Sequence, residues 1–251
     1  MNEVKGNHFY SVFLLLIFWV PASFAQMDEE RPEADTDQRA VDAASAQQFK
    51  IPTEYIQRAE GAPHIDGKLD DPFWTQAKRL SITKELYPIR LAEAVVSTTV
   101  LLAVTETHIY VGFSAYDPDI KNLRSAPRAR DATKEDDYVS IIVDPTGQLT
   151  KKYEFRVNPH GSLSDVLQDS ISDRYIYDWD ADWEGAAVIA EQAYYVERAI
   201  PLDAIKLPED YDSADEKWVI VLKRSYPRQV DRTLGQVFFA KPHQVQETKT
   251  T

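Results

Sequence analysis

Apolar and polar residues alternate along much of the chain, and the alternation predicts strands rather than helices. From His108 to Tyr116, Ile109, Val111, Phe113 and Ala115 interleave with Tyr110, Gly112, Ser114 and Tyr116, the period of two that marks a half-buried strand. Val96 to Thr105 supplies the other arm of that hairpin. Tyr138 to Asp144, Tyr153 to Val157 and Ser162 to Leu167 read as a three-strand meander, turned by Pro145-Thr146-Gly147 and by Asn158-Pro159-His160-Gly161. A further hairpin pairs Gly185 to Ala190 with Tyr194 to Ile200, and Lys217 to Tyr226 adds another strand. A first strand through Tyr55 and Ile56 runs into the turn Glu60-Gly61-Ala62-Pro63. Helical signals are brief: Phe73 to Ala77 behind Pro72, and a turn beginning at Pro201 or Leu202. Many short strands with turn residues at near-regular spacing predict an all-β fold, a two-sheet antiparallel β-sandwich with one or two short helices.

The ends of the chain have a different character. Met1 to Asn7, an apolar run from Phe9 to Val20, and Pro21-Ala22-Ser23-Phe24-Ala25 read as a secretory signal over residues 1–25, cleaved after Ala25. An uncleaved anchor is the alternative, because Glu3 offsets Lys5. The apolar run is short of the roughly 20 residues that a membrane span needs, and no second such run follows, so no transmembrane span is expected after cleavage. Residues 26–50 are expected to be a flexible acidic leader, residues 51–242 the sandwich, and residues 243–251 a disordered tail. The protein is thus expected to be exported, to the periplasm, the cell envelope or the medium. With no cysteine, an exported chain has no disulfides, thiolate metal sites or cysteine nucleophile, and its stability must come from an apolar core. A formal net charge of -13 argues against nucleic acid and anionic membranes as partners and leaves neutral or cationic ligands open.

Several short motifs occur in a telling order. Ile65-Asp66-Gly67 with Trp74 comes first, then Thr107-His108-Ile109-Tyr110-Val111-Gly112-Phe113, then Asp136-Asp137-Tyr138-Val139 leading to Asp144. Phe155-Arg156-Val157-Asn158 with Gly161, Trp183-Glu184, and Tyr195-Val196-Glu197-Arg198-Ala199-Ile200-Pro201 complete the set. In this order the chain resembles the family 9 carbohydrate-binding module-like domains, a DOMON-like sandwich of jelly-roll type, over about residues 51 to 230. The version it looks closest to is the N-terminal domain of bacterial envelope proteins with a DUF5916-type C-terminal region. The resemblance implies sugar binding without turnover, with Arg156 and Asn158 on the family's polar contacts. The family's glutamate position falls on Ser140, its first tryptophan falls near Lys134, and no tryptophan follows Trp218 to supply the second.

Rings and carboxylates crowd together in Tyr175-Ile176-Tyr177-Asp178-Trp179-Asp180-Ala181-Asp182-Trp183. In an extended segment Tyr177 and Trp179 face the same way, which nominates them as the platform for a sugar ring. Arg156, Asn158 and Asp137 are then its polar contacts. Arg156 must point away from Phe155 and Val157, free for a ligand or for an ion pair with Asp137, Asp144 or Glu154. Asn158 before Pro159 also suits a turn. Trp74 and Trp183 read as core residues, Trp74 closing one end of the sandwich. Asp178, Asp180 and Asp182 open like a calcium loop, but Trp183 stands where its glycine belongs and Ile189 where its bidentate glutamate belongs. A looser calcium site on these carboxylates, or on Asp136 and Asp137, is the metal expectation; a solvated acidic loop is the alternative.

Enzyme signatures are missing. The histidines lack HxH or HExxH spacing, the serines lack a nucleophile elbow, and Met27 is the only methionine left beyond the signal, which disfavours a Met/His haem site. No cofactor is required. The expected partner is a neutral glycan or oligosaccharide, bound with about 4 to 8 kcal/mol, in the service of polysaccharide catabolism. A structural module docked on an envelope protein, and a fragment accompanying a glycoside hydrolase, are the alternatives.

Overall fold

Strand pairing follows the alternation almost throughout. The computed structural model describes residues 51–207 and 217–242; the expected signal, leader and C-terminal tail lie outside the described residues. Its strands are β1 (Thr53–Ile56), β2 (Lys78–Tyr87), β3 (Glu93–Val104), β4 (His108–Tyr116), β5 (Tyr138–Asp144), β6 (Lys151–Val157), β7 (Leu163–Asp169), β8 (Arg174–Ile176), β9 (Glu184–Ile189), β10 (Ala193–Pro201), β11 (Trp218–Pro227) and β12 (Asp231–Pro242). They follow one hydrogen-bonded path, β8-β7-β6-β5-β11-β12-β2-β3-β4-β10-β9, with β1 joined to β12 in parallel and the strands along the path antiparallel.

The path doubles over into the two layers of a sandwich. Register shifts interrupt it at Thr233/Leu234, between β12 and β2, and at Ile82/Lys84, between β2 and β3. Bulges of this kind bend and twist a sheet locally. Val139, Ile141 and Val143 of β5 and Phe155 and Val157 of β6 face Val111, Phe113, Val196 and Ile200 of the second layer in one apolar cluster. The expected short helices are 3-10 turns, Pro72–Gln76 and Leu202–Ala204, with a further one at Ile120–Asn122. Strands β2 and β12 were not expected, and β12 extends through Lys241 and Pro242, opposite Tyr55 and Ile56.

Two buried arginines cross between the layers. Arg198 on β10 donates from Nη1 to the Phe155 carbonyl at 2.6 Å and from Nη2 to the Val139 carbonyl at 3.1 Å, with its guanidinium 4.8 Å from the Phe113 ring. Burial pushes its pKa down to about 9. Arg224 on β11 donates to the Ser97 and Tyr116 carbonyls, Thr98 Oγ1 and Asp117 Oδ2.

The Ile65-Asp66-Gly67 turn has a comparable task. Glu197 on β10 is fully buried, and it accepts bonds from Trp74 Nε1 at 2.7 Å and from the backbone N–H groups of Asp66 and Gly67 at 3.0 and 2.9 Å. Burial still raises its carboxyl pKa, against those donors. Gly67 sits at φ +85°, and a Cβ there would meet the Ala187 backbone at 2.8 Å. Gly67→Ala is therefore expected to destabilise the fold by about 2 kcal/mol or more, since it combines a left-handed strain with a backbone overlap. Urea unfolding of the two chains measures the difference.

Candidate functional site

Strand β5 is buried on both sides. Its inward residues are core, but Tyr138, Ser140 and Ile142, which point away from the core, are buried as well. The outward residues of the neighbouring strands explain this. Lys223 of β11, Ser140 of β5, Arg156 of β6 and Ser164 of β7 line up across one row of the sheet, with Ile142, Glu154 and Val166 in the next. Long side chains lie over short ones and make a polar floor on the outer face.

Glu154 is the hub of that floor. It is fully buried and accepts from Ser140 Oγ at 2.9 Å, Gln168 Nε2 at 2.8 Å and Arg156 Nη2 at 2.7 Å, and it is ion-paired with Lys223 Nζ. The Arg156 guanidinium and the Lys223 ammonium lie 5.2 and 5.3 Å from the centre of the Tyr138 ring. Burial would raise the Glu154 carboxyl; Lys223 and Arg156 outweigh it and hold it at about 2. Burial would likewise lower Arg156, and Glu154 reverses that and raises it. Arg156 Nε has no hydrogen-bond partner among the described residues, although the side chain is almost wholly buried.

The floor has two aromatic margins. On the β7 and β8 side Tyr177 lies within electrostatic range of Arg156, and its ring stacks on Tyr175 at 6.5 Å. Both rings are exposed. On the β12 side Tyr138, Ser225 and Thr233 line a cavity of about 240 Å³ with the exposed Tyr87. A larger cavity of about 610 Å³ lies beside β1, but Tyr55, Gln57, Thr75, Gln76, Lys78 and Arg79 around it are all exposed, so it has no preorganised polar floor.

Of the residues nominated from sequence, the structure brings together Tyr177 and Arg156, and it places the other three elsewhere. Trp179 packs edge-on against Tyr153 at 5.2 Å and Phe155 at 5.7 Å. Those rings belong to the core side of β6, so Trp179 and Arg156 lie on opposite faces of the sheet. Asn158 is buried with its amide fully used: Nδ2 donates to the Ala126 carbonyl and Asp136 Oδ2, and Oδ1 accepts from the N–H groups of His160 and Ser162. It organises the turn. Asp137 is buried beneath Arg228, whose Nη1 donates to both of its oxygens at 3.1 and 2.8 Å, and burial raises its pKa despite that partner.

The structure does not gather the carboxylates expected to hold calcium. Asp180 is ion-paired with Arg130 Nε at 2.8 Å, and Asp182 lines a different cleft with Glu184 and His108. Among the described residues no group of three His, Cys, Asp or Glu side chains is arranged to hold a metal ion. Lys223, Tyr138 and Gln168 were missed as site residues, whereas Glu154 was expected only as one of three ion-pair partners for Arg156 and is the one the structure shows. The only signal near them was the outward parity of Glu154 with Arg156 on β6.

The floor makes acid stability depend on Glu154. Its depressed pKa contributes stability that is fully present above the ordinary value near 4.5 and is lost as pH falls through about 2. Glu154→Gln is expected to flatten the loss of unfolding free energy between those pH values by up to roughly 3 kcal/mol, read from urea unfolding of both chains at a series of acid pH values.

The carbohydrate family 9 binding domain-like family matches residues 65–217. No curated protein sequence matches the chain. Among solved structures, a protein from Bacteroides uniformis proposed to bind carbohydrate superposes with a TM-score of 0.58 at 12% identity, over 75% of this chain and 91% of that one. A family 9 carbohydrate-binding module from Caldicellulosiruptor kristjanssonii, solved with cellotriose, gives 0.53 at 15% identity over 78% and 96%. The glucose complex of a family 9 module from the same organism gives 0.52 at 16% identity, over 78% of this chain and all of that one. At these identities the structures speak for the shared sandwich, while the sequence match covers more than half of the chain: it belongs to the carbohydrate family 9 binding domain-like family.

Proposed function

We propose that this protein binds an oligosaccharide, without turning it over, on the outer face of β5, β6 and β11. The observation that carries the reading is the outer-face cluster of the Arg156 guanidinium and the Lys223 ammonium, held in place by Glu154 beside the Tyr138 ring. A sugar offers hydroxyls to such donors and an apolar ring face to such aromatics. Tyr177 replaces the tryptophan wall of the family's sugar-binding members, and Trp179 serves the core. The family match, and relatives solved with cellotriose and glucose, support the same ligand class.

The setting of the activity belongs to the same proposal. The signal-like residues 1–25 support export to the cell envelope or beyond, where a module of this kind would serve polysaccharide breakdown beside separate hydrolases. Docking on an envelope protein is compatible with that placement.

Calorimetric titration of the full chain with a panel of oligosaccharides tests the reading. Tyr177→Ala is expected to weaken binding by about three- to tenfold with little change in thermal stability, as a partly exposed ring contributes on the order of 1 kcal/mol. Trp179→Ala is expected to cost about 2 kcal/mol of stability and leave the affinity of the folded chain unchanged. Loss of binding in a stably folded Trp179→Ala chain, or no binding of any sugar by the native one, contradicts the assignment.

A further inference from the structure

Two cations share one carboxylate on the floor. Arg156 and Lys223 both pair with Glu154, and no other carboxylate among the described residues forms an ion pair with either. The local sum is one surplus positive charge. The contrast with the neighbouring network is sharp, because there Arg224 and Arg228 are matched by Asp117 and Asp137. Arg232 likewise has Glu85, and Arg128 has Asp136. Arg198 has no carboxylate, but it is sealed between the layers and bound to two carbonyls.

The surplus lies where it is poorly hydrated. Arg156 is 6% exposed with its Nε unpartnered, and the Lys223 side chain is 14% exposed. A surplus charge with little access to water is costly unless a counter-charge meets it. Lys134, on the cavity that shares Tyr138, also forms no ion pair among the described residues.

Resting on the carbohydrate reading, we propose that the sugar recognised here is acidic: a hexuronate whose carboxylate lies against Arg156 and Lys223 while its ring covers Tyr138. A carboxylate takes charge-assisted bonds from both cations and neutralises the floor, which a hydroxyl cannot do. The overall charge of -13 does not oppose this at working salt, because exposed acids beyond about 8 Å are largely screened at physiological ionic strength. The long-range field of the molecule and the local field of the site have opposite signs.

The test is calorimetric titration of the full chain with trigalacturonate and with a glucuronate-bearing xylo-oligosaccharide, each compared with its own methyl ester, and with cellotriose. The ester keeps size and hydroxyls and removes only the charge. At least one acid is expected to bind about tenfold or more tightly than its ester. Lys223→Met, which keeps the apolar stem and leaves Glu154 paired with Arg156, is expected to bring the acid-to-ester affinity ratio to about one. The acid-to-ester ratio of the native chain decides the matter even if the variant fails to fold. Esters or cellotriose binding as tightly as the acids overturns the charge inference and leaves the carbohydrate reading intact; silence from every sugar overturns both.

Discussion

The Arg198 guanidinium is the constraint on which the rest of this sandwich depends. Planted on β10, it reaches through the apolar interior and binds the carbonyls of Val139 on β5 and Phe155 on β6. An arginine buried without a carboxylate is costly, and two well-placed carbonyls with an aromatic face at 4.8 Å are what make it tolerable. The result is a polar tie across a layer otherwise held by non-directional packing, fixing where β5 and β6 stand relative to β10. Arg224 does the same in the opposite direction, from β11 to β3 and β4.

That tie lies directly behind the floor. Val139 separates Tyr138 from Ser140, and Phe155 separates Glu154 from Arg156, so the carbonyls held from inside belong to the strand segments that present the floor outside. Register does the rest: Lys223, Ser140 and Arg156 share one row because β11 and β6 both pair with β5. Glu154 then gathers four donors from four strands. Such a network is rigid because each member is held by the others, and losing one member would leave a buried charge uncompensated. Rigidity of this kind suits recognition, since little ordering remains to be done when a ligand arrives.

Much of this was legible in the sequence wherever structure is local. The hairpin of β3 and β4, the meander of β5 to β7, the pair β9 and β10 and the Asp66-Gly67 turn all follow from alternation and turn residues. The outward direction of Arg156 followed from its neighbours Phe155 and Val157. Strand β2 was not legible because its alternation is broken at the irregularity between Ile82 and Lys84. The site was legible only by half. Lys223 meets Glu154 through the pairing of β11 with β5, a contact between residues far apart in sequence that no local pattern encodes. Tyr177 and Trp179 were placed on one face by a period-two argument, but residues 177–183 belong to no strand. There the chain turns Trp179 onto the core rings of Tyr153 and Phe155 and leaves Tyr177 beside Arg156. The net charge, too, misdirects: an acidic whole contains a basic floor.

Amide chemical-shift mapping of the full chain during titration with trigalacturonate and with cellotriose is the most direct test of where this protein holds a sugar. The account predicts that the largest shifts fall on Tyr138, Ser140, Arg156 and Lys223, with the Trp179 indole N–H nearly unmoved. Shifts concentrated on Trp179 and the acidic loop, or around Tyr55 beside β1, would contradict it.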